Sequence, residues 1–234
     1  MDSKSMEEHS AKKARILVVD DHPLVRDGLI KLICSQPDLT CCGEAATASA
    51  ALTAAAKTQP DLVIVDLRLK ESDGLELIGA LKSQQSDIRI LVVSQYDPAL
   101  LAERTLRAGA MGYVAKQDPP QEVLQAIRVI LSGEVYVTRS TALVLVQKLI
   151  GAAPNRKPNA VDRLTGREQH VLLLLGTGLS NQEIARDLKL SPKTIESHRE
   201  NIKQKLGLSN APALIRFATE WAREQVRLPQ NESD

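Results

Sequence analysis

The chain has 234 residues, 43% hydrophobic and 25% charged, a balance that fits globular domains and excludes a disordered or fibrous chain. Its net charge of +1 hides an asymmetry: residues 1–154 carry 17 Lys and Arg against 19 Asp and Glu, and residues 155–234 carry 13 against 10. So mild a basic excess predicts weak phosphate binding by one C-terminal domain acting alone, and the few aromatics (Tyr96, Tyr113, Tyr136, Phe217, Trp221) provide no stacking platform for single strands.

No apolar run approaches the roughly 18 residues that span a bilayer. Met1 to Ser10 is polar and lacks the apolar stretch of a secretory signal. Cys34, Cys41 and Cys42 are odd in number and fit no metal spacing. These features together predict a cytoplasmic protein with no membrane contact.

In chain order, Arg15 to Asp20 is a β-branched apolar run ending in acid, the pattern of a buried parallel strand. Thr40 to Ala45 reads as an edge strand, and Leu62 to Asp66, Ile88 to Ser94 and Gly112 to Lys116 as three more. Amphipathic segments alternate with them at Leu24–Ile33, Ala48–Lys57, Gly74–Lys82, Pro98–Ala108 and Pro120–Leu131. Strands spaced by ten-residue helices predict an α/β fold, a doubly wound five-stranded parallel sheet whose site lies beyond the strands' carboxyl ends.

Those ends carry Asp20 and Asp21, Asp66, Ser94 and Lys116. Three carboxylates on one edge repel unless a cation joins them, and an oxygen-rich set of this kind calls for a hard divalent ion such as Mg²⁺. A carboxylate so placed can attack a phosphoryl group, with metal, hydroxyl and ammonium stabilising the transferring oxygens. Singly, an Asp at a strand end is often a helix cap and a lone Lys a solvated charge. Five such groups at the ends of four strands are not explained that way.

Beyond the sheet, Val135 to Ile150 has helical apolar spacing at Leu143, Val146, Leu149 and Ile150, and Gly151 to Asn159 is breaker-rich. Thr165 with Glu168 forms a capping box, ahead of an apolar stripe at Leu172, Leu173 and Leu175 that Gly176 and Gly178 punctuate. Ser180 with Glu183 opens a second helix whose Ile184, Ala185 and Leu188 face inward, and Ser191-Pro192 opens a third. Two short helices, a tight turn and a polar helix read as a helix-turn-helix, whose last helix enters the major groove of double-stranded DNA. Arg227 to Asp234 reads as a frayed tail.

The strings L-T-x-R-E-x-x-V-L-x-L-L, G-L-S-N-x-E-I-A and L-x-L-S-x-x-T-I-x-x-H-x-x-N-I-x-x-K-L, running from Leu164 to Leu206, closely resemble the LuxR-type DNA-binding domain. The strand-end constellation resembles the CheY-like receiver domain, and the pair resembles two-component response regulators of the NarL/FixJ subfamily. The implied domains are a receiver at 14–132, a linker with a helix at 133–159 and an all-α helix-turn-helix domain at 160–227. By that resemblance Asp66 is the phosphoacceptor, and Asp20, Asp21 and the backbone carbonyl of Arg68 join it around Mg²⁺. Ser94 becomes the switch hydroxyl, Lys116 the phosphate-pairing ammonium and Tyr113 the aromatic that rotates with Ser94. The implied partners are a histidine kinase, DNA, RNA polymerase and a second copy of the phosphorylated chain.

For the DNA surface, Lys193, Thr194 and Arg199 are read as phosphate contacts, with Asn181 and Gln182 bracing the backbone. Glu196, Ser197 and Glu200 are candidates for base edges, where Glu rewards cytosine, although a solvated outward face fits the two acids equally. Lys203 completes the set, and His198 supports the fold and approaches the DNA backbone rather than binding metal. Three positions depart from the family pattern. Lys70 replaces a usual Pro, predicting a more mobile and more positive loop. Gln95 replaces a small residue, predicting slower phosphoryl entry or water attack. Gln117 follows Lys116 in place of Pro.

Two other classes compete with this one. A haloacid-dehalogenase-type phosphatase needs a second acid two residues after its nucleophile, but position 68 is Arg, and two residues after Asp20 stands His22. A regulator with a phosphate-independent pseudo-receiver remains the alternative, against which stands the retention of all five pocket groups. The reading is therefore a regulator and not an enzyme.

Overall fold

A computed structural model describes residues 13–69, 73–95, 98–151, 160–188 and 190–226. Lys70, Tyr96, the polar N-terminal stretch, the breaker-rich segment after Gly151 and the C-terminal tail lie outside the described residues. The chain divides into two compact units, one within Met1–Gln95 and Thr105–Thr138, the other within Tyr96–Arg104 and Arg139–Asp234.

In the first unit β1 (Ala14–Val19), β2 (Leu39–Ala45), β3 (Leu62–Val65), β4 (Arg89–Ser94) and β5 (Gly112–Ala115) form where the apolar runs predict. Helices α1 (Pro23–Cys34), α2 (Ala48–Thr58), α3 (Gly74–Gln84) and α5 (Pro120–Leu131) alternate with them, and α4 (Pro98–Arg107) precedes β5. The sheet order is β2-β1-β3-β4-β5 followed by the short β6 (Tyr136–Val137), and every pairing is parallel. The period of two sends Ile16, Val18, Leu62, Ile64, Leu91, Val93 and Val114 into one core with Leu29 and Ile33 of α1 and Val123, Ile127 and Ile130 of α5. Their neighbours Leu17, Val19, Val63, Val65, Ile90, Val92 and Tyr113 are buried as well. A sheet covered on both faces reads as a continuous apolar run rather than an alternating one.

The sheet has one strand more than the five expected. Residues 136–137, assigned from sequence to the linker, form β6 (Tyr136–Val137), joined through Tyr136 N to Met111 O at 2.8 Å. Gly112 makes room for it, because a Cβ there would stand 2.8 Å from Tyr136 O. A helix forms over the expected span as α6 (Arg139–Gly151), where Leu143 and Val146 are exposed.

The second unit contains a 3-10 turn (Ala160–Arg163), α7 (Gly166–Gly176), α8 (Asn181–Asp187), α9 (Pro192–Leu206) and α10 (Ala211–Val226). Both capping boxes form, Thr165 with Glu168 and Ser180 with Glu183. Ser191 caps α9 by accepting from Thr194 N. Ile184, Ala185 and Leu188 are buried as expected, with Val171, Leu172, Leu175, Ile195, Ile202, Leu214 and Trp221 completing the core. Leu173 is only partly buried. Gly178 lies past the end of α7 with φ 89°, but Gly176 is inside the helix and does more than punctuate it. A Cβ on Gly176 would stand 2.3 Å from Ala218 O, so its absence lets α10 lie directly against α7. α10 lies beyond the helix-turn-helix string and no sequence expectation covers it.

Candidate functional site

The carboxyl ends of β1, β3, β4 and β5 converge as expected. Asp20 and Asp66 are 1% exposed and Ser94 is 0% exposed. Lys116 follows β5, and its Nζ stands 2.6 Å from Asp20 Oδ2 and 2.6 Å from Asp66 Oδ2. The contact with Asp66 is a hydrogen bond, while that with Asp20 is an ion pair without hydrogen-bond alignment. Lys116 N donates to Ser94 O at 2.8 Å, which sets the hydroxyl-bearing residue beside the lysine. Tyr113 is fully buried on β5 opposite Val92.

Arg68 N donates to Asp66 Oδ1 at 3.1 Å, and its guanidinium reaches Gln95 Oε1 at 3.5 Å. The Asp73 carboxylate caps α3 through Leu75 N. Gly74 lets that turn press on the acceptor strand, since a Cβ would stand 2.7 Å from Asp66 O.

Burial pushes the Asp66 carboxyl above the usual carboxylate range, and Lys116 opposes this while Asp20 adds to it. One donor atom each from Asp20, Asp21, His22 and Asp66 lies within 4.8 Å of the others. Asp21 Oδ1 is buried and makes no aligned hydrogen bond, with His22 Nδ1 as its ion-pair contact at 2.7 Å. Crowded acid and a carboxyl raised by burial both fit a divalent cation among these residues.

Sequence reasoning missed two contributors. Arg26, four residues into α1's reach, donates from Nη1 to Asp20 O at 2.8 Å and from Nε to Glu44 Oε2 at 2.7 Å, tying down the acidic loop. His22 belongs to the cluster itself, with Nδ1 2.7 Å from Asp21 Oδ1. Its position next to the acid pair was the available signal.

On α9, Lys193, Glu196, Ser197 and Glu200 are exposed, and Thr194, His198, Arg199 and Lys203 are half-buried. Arg199 Nη1 donates to Asn181 Oδ1 at 2.5 Å, linking α9 to the start of α8, where Gln182 is exposed. Lys203 pairs with Glu200 at 2.8 Å, Ser197 Oγ donates to Lys193 O at 3.1 Å, and the Thr194 hydroxyl lies 2.8 Å from the Ser191 hydroxyl. His198 faces Arg167, Glu168 and Lys205, and burial pulls its pKa below the ordinary histidine value. Glu168 is 3% exposed and takes Lys205 Nζ at 2.7 Å as its counter-ion.

Residues 16–128 match the response regulator receiver domain, and residues 162–218 match the bacterial regulatory proteins of the luxR family. A putative transcriptional regulator of Pseudomonas aeruginosa is 35% identical over 205 residues, covering 88% of this chain and 97% of its own. The DNA-binding transcriptional activator DevR/DosR of Mycobacterium tuberculosis is 34% identical, covering 90% and 96%. Among solved structures, RcsB from Salmonella enterica serovar Typhimurium, bound to promoter P1flhDC in the presence of the phosphomimetic BeF3-, is 26% identical with a TM-score of 0.55, covering 88% of this chain and 97% of that one.

A receiver sheet joined to a LuxR-type helix-turn-helix defines a two-component response regulator that regulates transcription. The chain belongs to the NarL-type response regulators.

Proposed function

We propose that Asp66 accepts a phosphoryl group from a histidine kinase and that the modified protein dimerises on DNA. The observation that carries this is the buried Asp66 carboxylate, held by the Lys116 ammonium beside Asp20. In the transfer the phosphorus–nitrogen bond of a phosphohistidine breaks as an Asp66 oxygen–phosphorus bond forms, and the imidazole leaves with the bonding pair. Lys116 and the Ser94 hydroxyl meet the transferred oxygens, and Tyr113 repacks behind Ser94. Asp20, Asp21, Asp66 and the Arg68 carbonyl would hold Mg²⁺, which when bound offsets the charge of the phosphoryl oxygens. The acceptor is consumed by its own modification, which makes the chain a regulator rather than an enzyme.

For DNA, α9 enters the major groove. Lys193, Thr194 and Arg199 meet phosphates, Asn181 and Gln182 brace the approach, and Glu196, Ser197 and Glu200 face base edges. His198 packs beneath that surface, and Lys203 restrains Glu200. Two bound copies imply half-sites about one helical turn apart. RNA polymerase is the partner at promoters. No helix among the described residues is long and apolar enough to cross a membrane, and we place the protein in the cytoplasm.

The test is incubation with acetyl phosphate and Mg²⁺, read by intact mass and by gel filtration. The wild type should gain one phosphoryl group and shift toward dimer. Asp66→Asn and the EDTA-treated wild type should do neither. Equal labelling of Asp66→Asn would remove Asp66 as the acceptor.

A further inference from the structure

Away from the acidic cluster, the receiver contains a cavity of about 170 Å³ at the amino ends of β3 and β4. Asp66 stands at the opposite end of the sheet, and none of the groups assigned to phosphoryl transfer lines this space. It lies where the last turn of α2 meets the last turn of α3. Ala55 and Ala56 line it from α2, and Leu81 and Ile88, each 1% exposed, give it an apolar floor. Atoms around an unfilled space forgo dispersion contacts, which an occupant of the right size restores.

Three primary amides complete the lining, from Gln59, Gln84 and Gln85. The Gln59 backbone is left-handed, with φ 45°, where the end of a helix more often has glycine. Its side chain folds back on α2, and Nε2 donates to Ala56 O at 3.0 Å. The Gln59 Oε1 and both amides of Gln84 and Gln85 make no hydrogen bond among the described residues. No charged side chain lines the cavity. An open groove adjoins it, sharing Ala56 and Gln84 and adding Lys57.

Size and chemistry select the occupant. A void of ~150 Å³ holds one benzene, so this cavity accepts a single ring with a small substituent. An ion would lose its hydration there without gaining a counter-charge. A carboxamide presents a donor and an acceptor on one edge, and the glutamine amides offer the complementary pair. We propose that the cavity between α2 and α3 binds a small, neutral, planar molecule bearing a carboxamide or an equivalent donor–acceptor edge. Its ring lies against Leu81 and Ile88, and its polar edge meets the glutamines. The site stands whether or not Asp66 is the phosphoacceptor.

The test titrates the full-length protein with benzamide, benzoate and toluene, read by nuclear magnetic resonance of the backbone amides. Benzamide should give saturable shifts centred on Ala55, Gln59, Gln85 and Ile88, with residues around Asp66 unmoved. Benzoate has the same shape with a charge, and toluene lacks the polar edge. Each should bind about tenfold more weakly. Ala55→Leu fills the cavity and should abolish the shifts. Because Ala55 is buried, Ala56→Leu repeats the filling from an exposed position. Gln85→Met keeps the side chain's length without its amide, and should lose about tenfold for benzamide while leaving toluene unchanged. Benzoate or toluene binding as tightly as benzamide would overturn the neutral, polar class of ligand. Shifts that persist in both leucine variants would place binding elsewhere, and no saturable shift would leave the cavity a mere packing defect. Either result ends the proposal.

Discussion

The receiver pocket and the surface of α9 are both built from charged residues, but on opposite physical terms. In the pocket the charges are largely buried, arrive from the ends of three strands, and are compensated by one lysine. On α9 they are exposed or half-buried, lie on one continuous helix, and are partly committed to neighbours through Arg199–Asn181 of α8 and Lys203–Glu200. A buried charge with a missing partner is costly, whereas an exposed pair contributes little. Removing a single group should therefore cripple the first site and only modulate the second.

The sharpest break of that contrast is Lys116→Met. It leaves two nearly fully buried carboxylates facing each other without their counter-ion and should destabilise the first unit by about 3 kcal/mol. A divalent cation should recover more stability in the variant than it adds to the wild type, because it supplies the missing positive charge. Urea unfolding with Mg²⁺ and with EDTA checks this. Equal stability of the two proteins in EDTA would mean that the ammonium is not the balancing charge.

Next in size is Gly176→Ala, which tests whether the α9 surface depends on its support. A methyl group 2.3 Å from Ala218 O must push α10 away from α7, at about 1–3 kcal/mol. Thermal unfolding of the second unit should show the loss while the receiver transition stays in place. An unchanged transition would mean that α10 shifts freely, and α7 and α10 would then not form one packed layer.

Most of the first site was legible because a parallel strand buried on both faces is an unbroken apolar run, so the polar residue that ends it stands out. Asp20, Asp66, Ser94 and Lys116 are each such a residue. β6 was not legible, because Tyr136 and Val137 are too few to show a period and pair only through backbone groups beside Gly112. α10 carried a readable stripe at Leu214, Ala218 and Trp221, but no part of the matched helix-turn-helix string drew attention to it. Two residue roles depended on tertiary contact. The Arg199–Asn181 bond exists only because α8 and α9 cross near those residues. His22 became visible as a member of the acidic cluster only when the loop brought its ring against Asp21.

The Arg199–Asn181 pair turns the comparison into a measurement. If Asn181 holds the guanidinium for a phosphate, Asn181→Ala should weaken DNA binding by about 1 kcal/mol. Arg199→Ala should weaken binding to all sequences and lower the salt slope by about one. The double variant should then cost less than the sum of the single losses, because one change has already removed what the other supports. Fluorescence anisotropy across a salt series gives all three numbers. Strict additivity would mean that the two residues meet DNA independently and that their contact is incidental.

The smallest effect is expected at His198, where the two kinds of site meet, since the ring is half-buried under an exposed surface. Burial, and after it the Arg167 guanidinium, hold its pKa below the ordinary histidine value, while Glu168 pulls the other way. The unfolded chain therefore takes up a proton near pH 6.5, at a pH where the folded domain still resists it. Stability from this group is fully present above that value and falls as pH drops from about 6.5 toward the depressed folded pKa. Below the folded value the loss is complete and changes no further. Thermal melts between pH 7.5 and pH 5 should show the second unit weakening on acidification, and His198→Gln should flatten that part of the profile. A variant profile that still falls as steeply as the wild type would assign the dependence to another group, and His198 would then be mere packing beneath the DNA-facing helix.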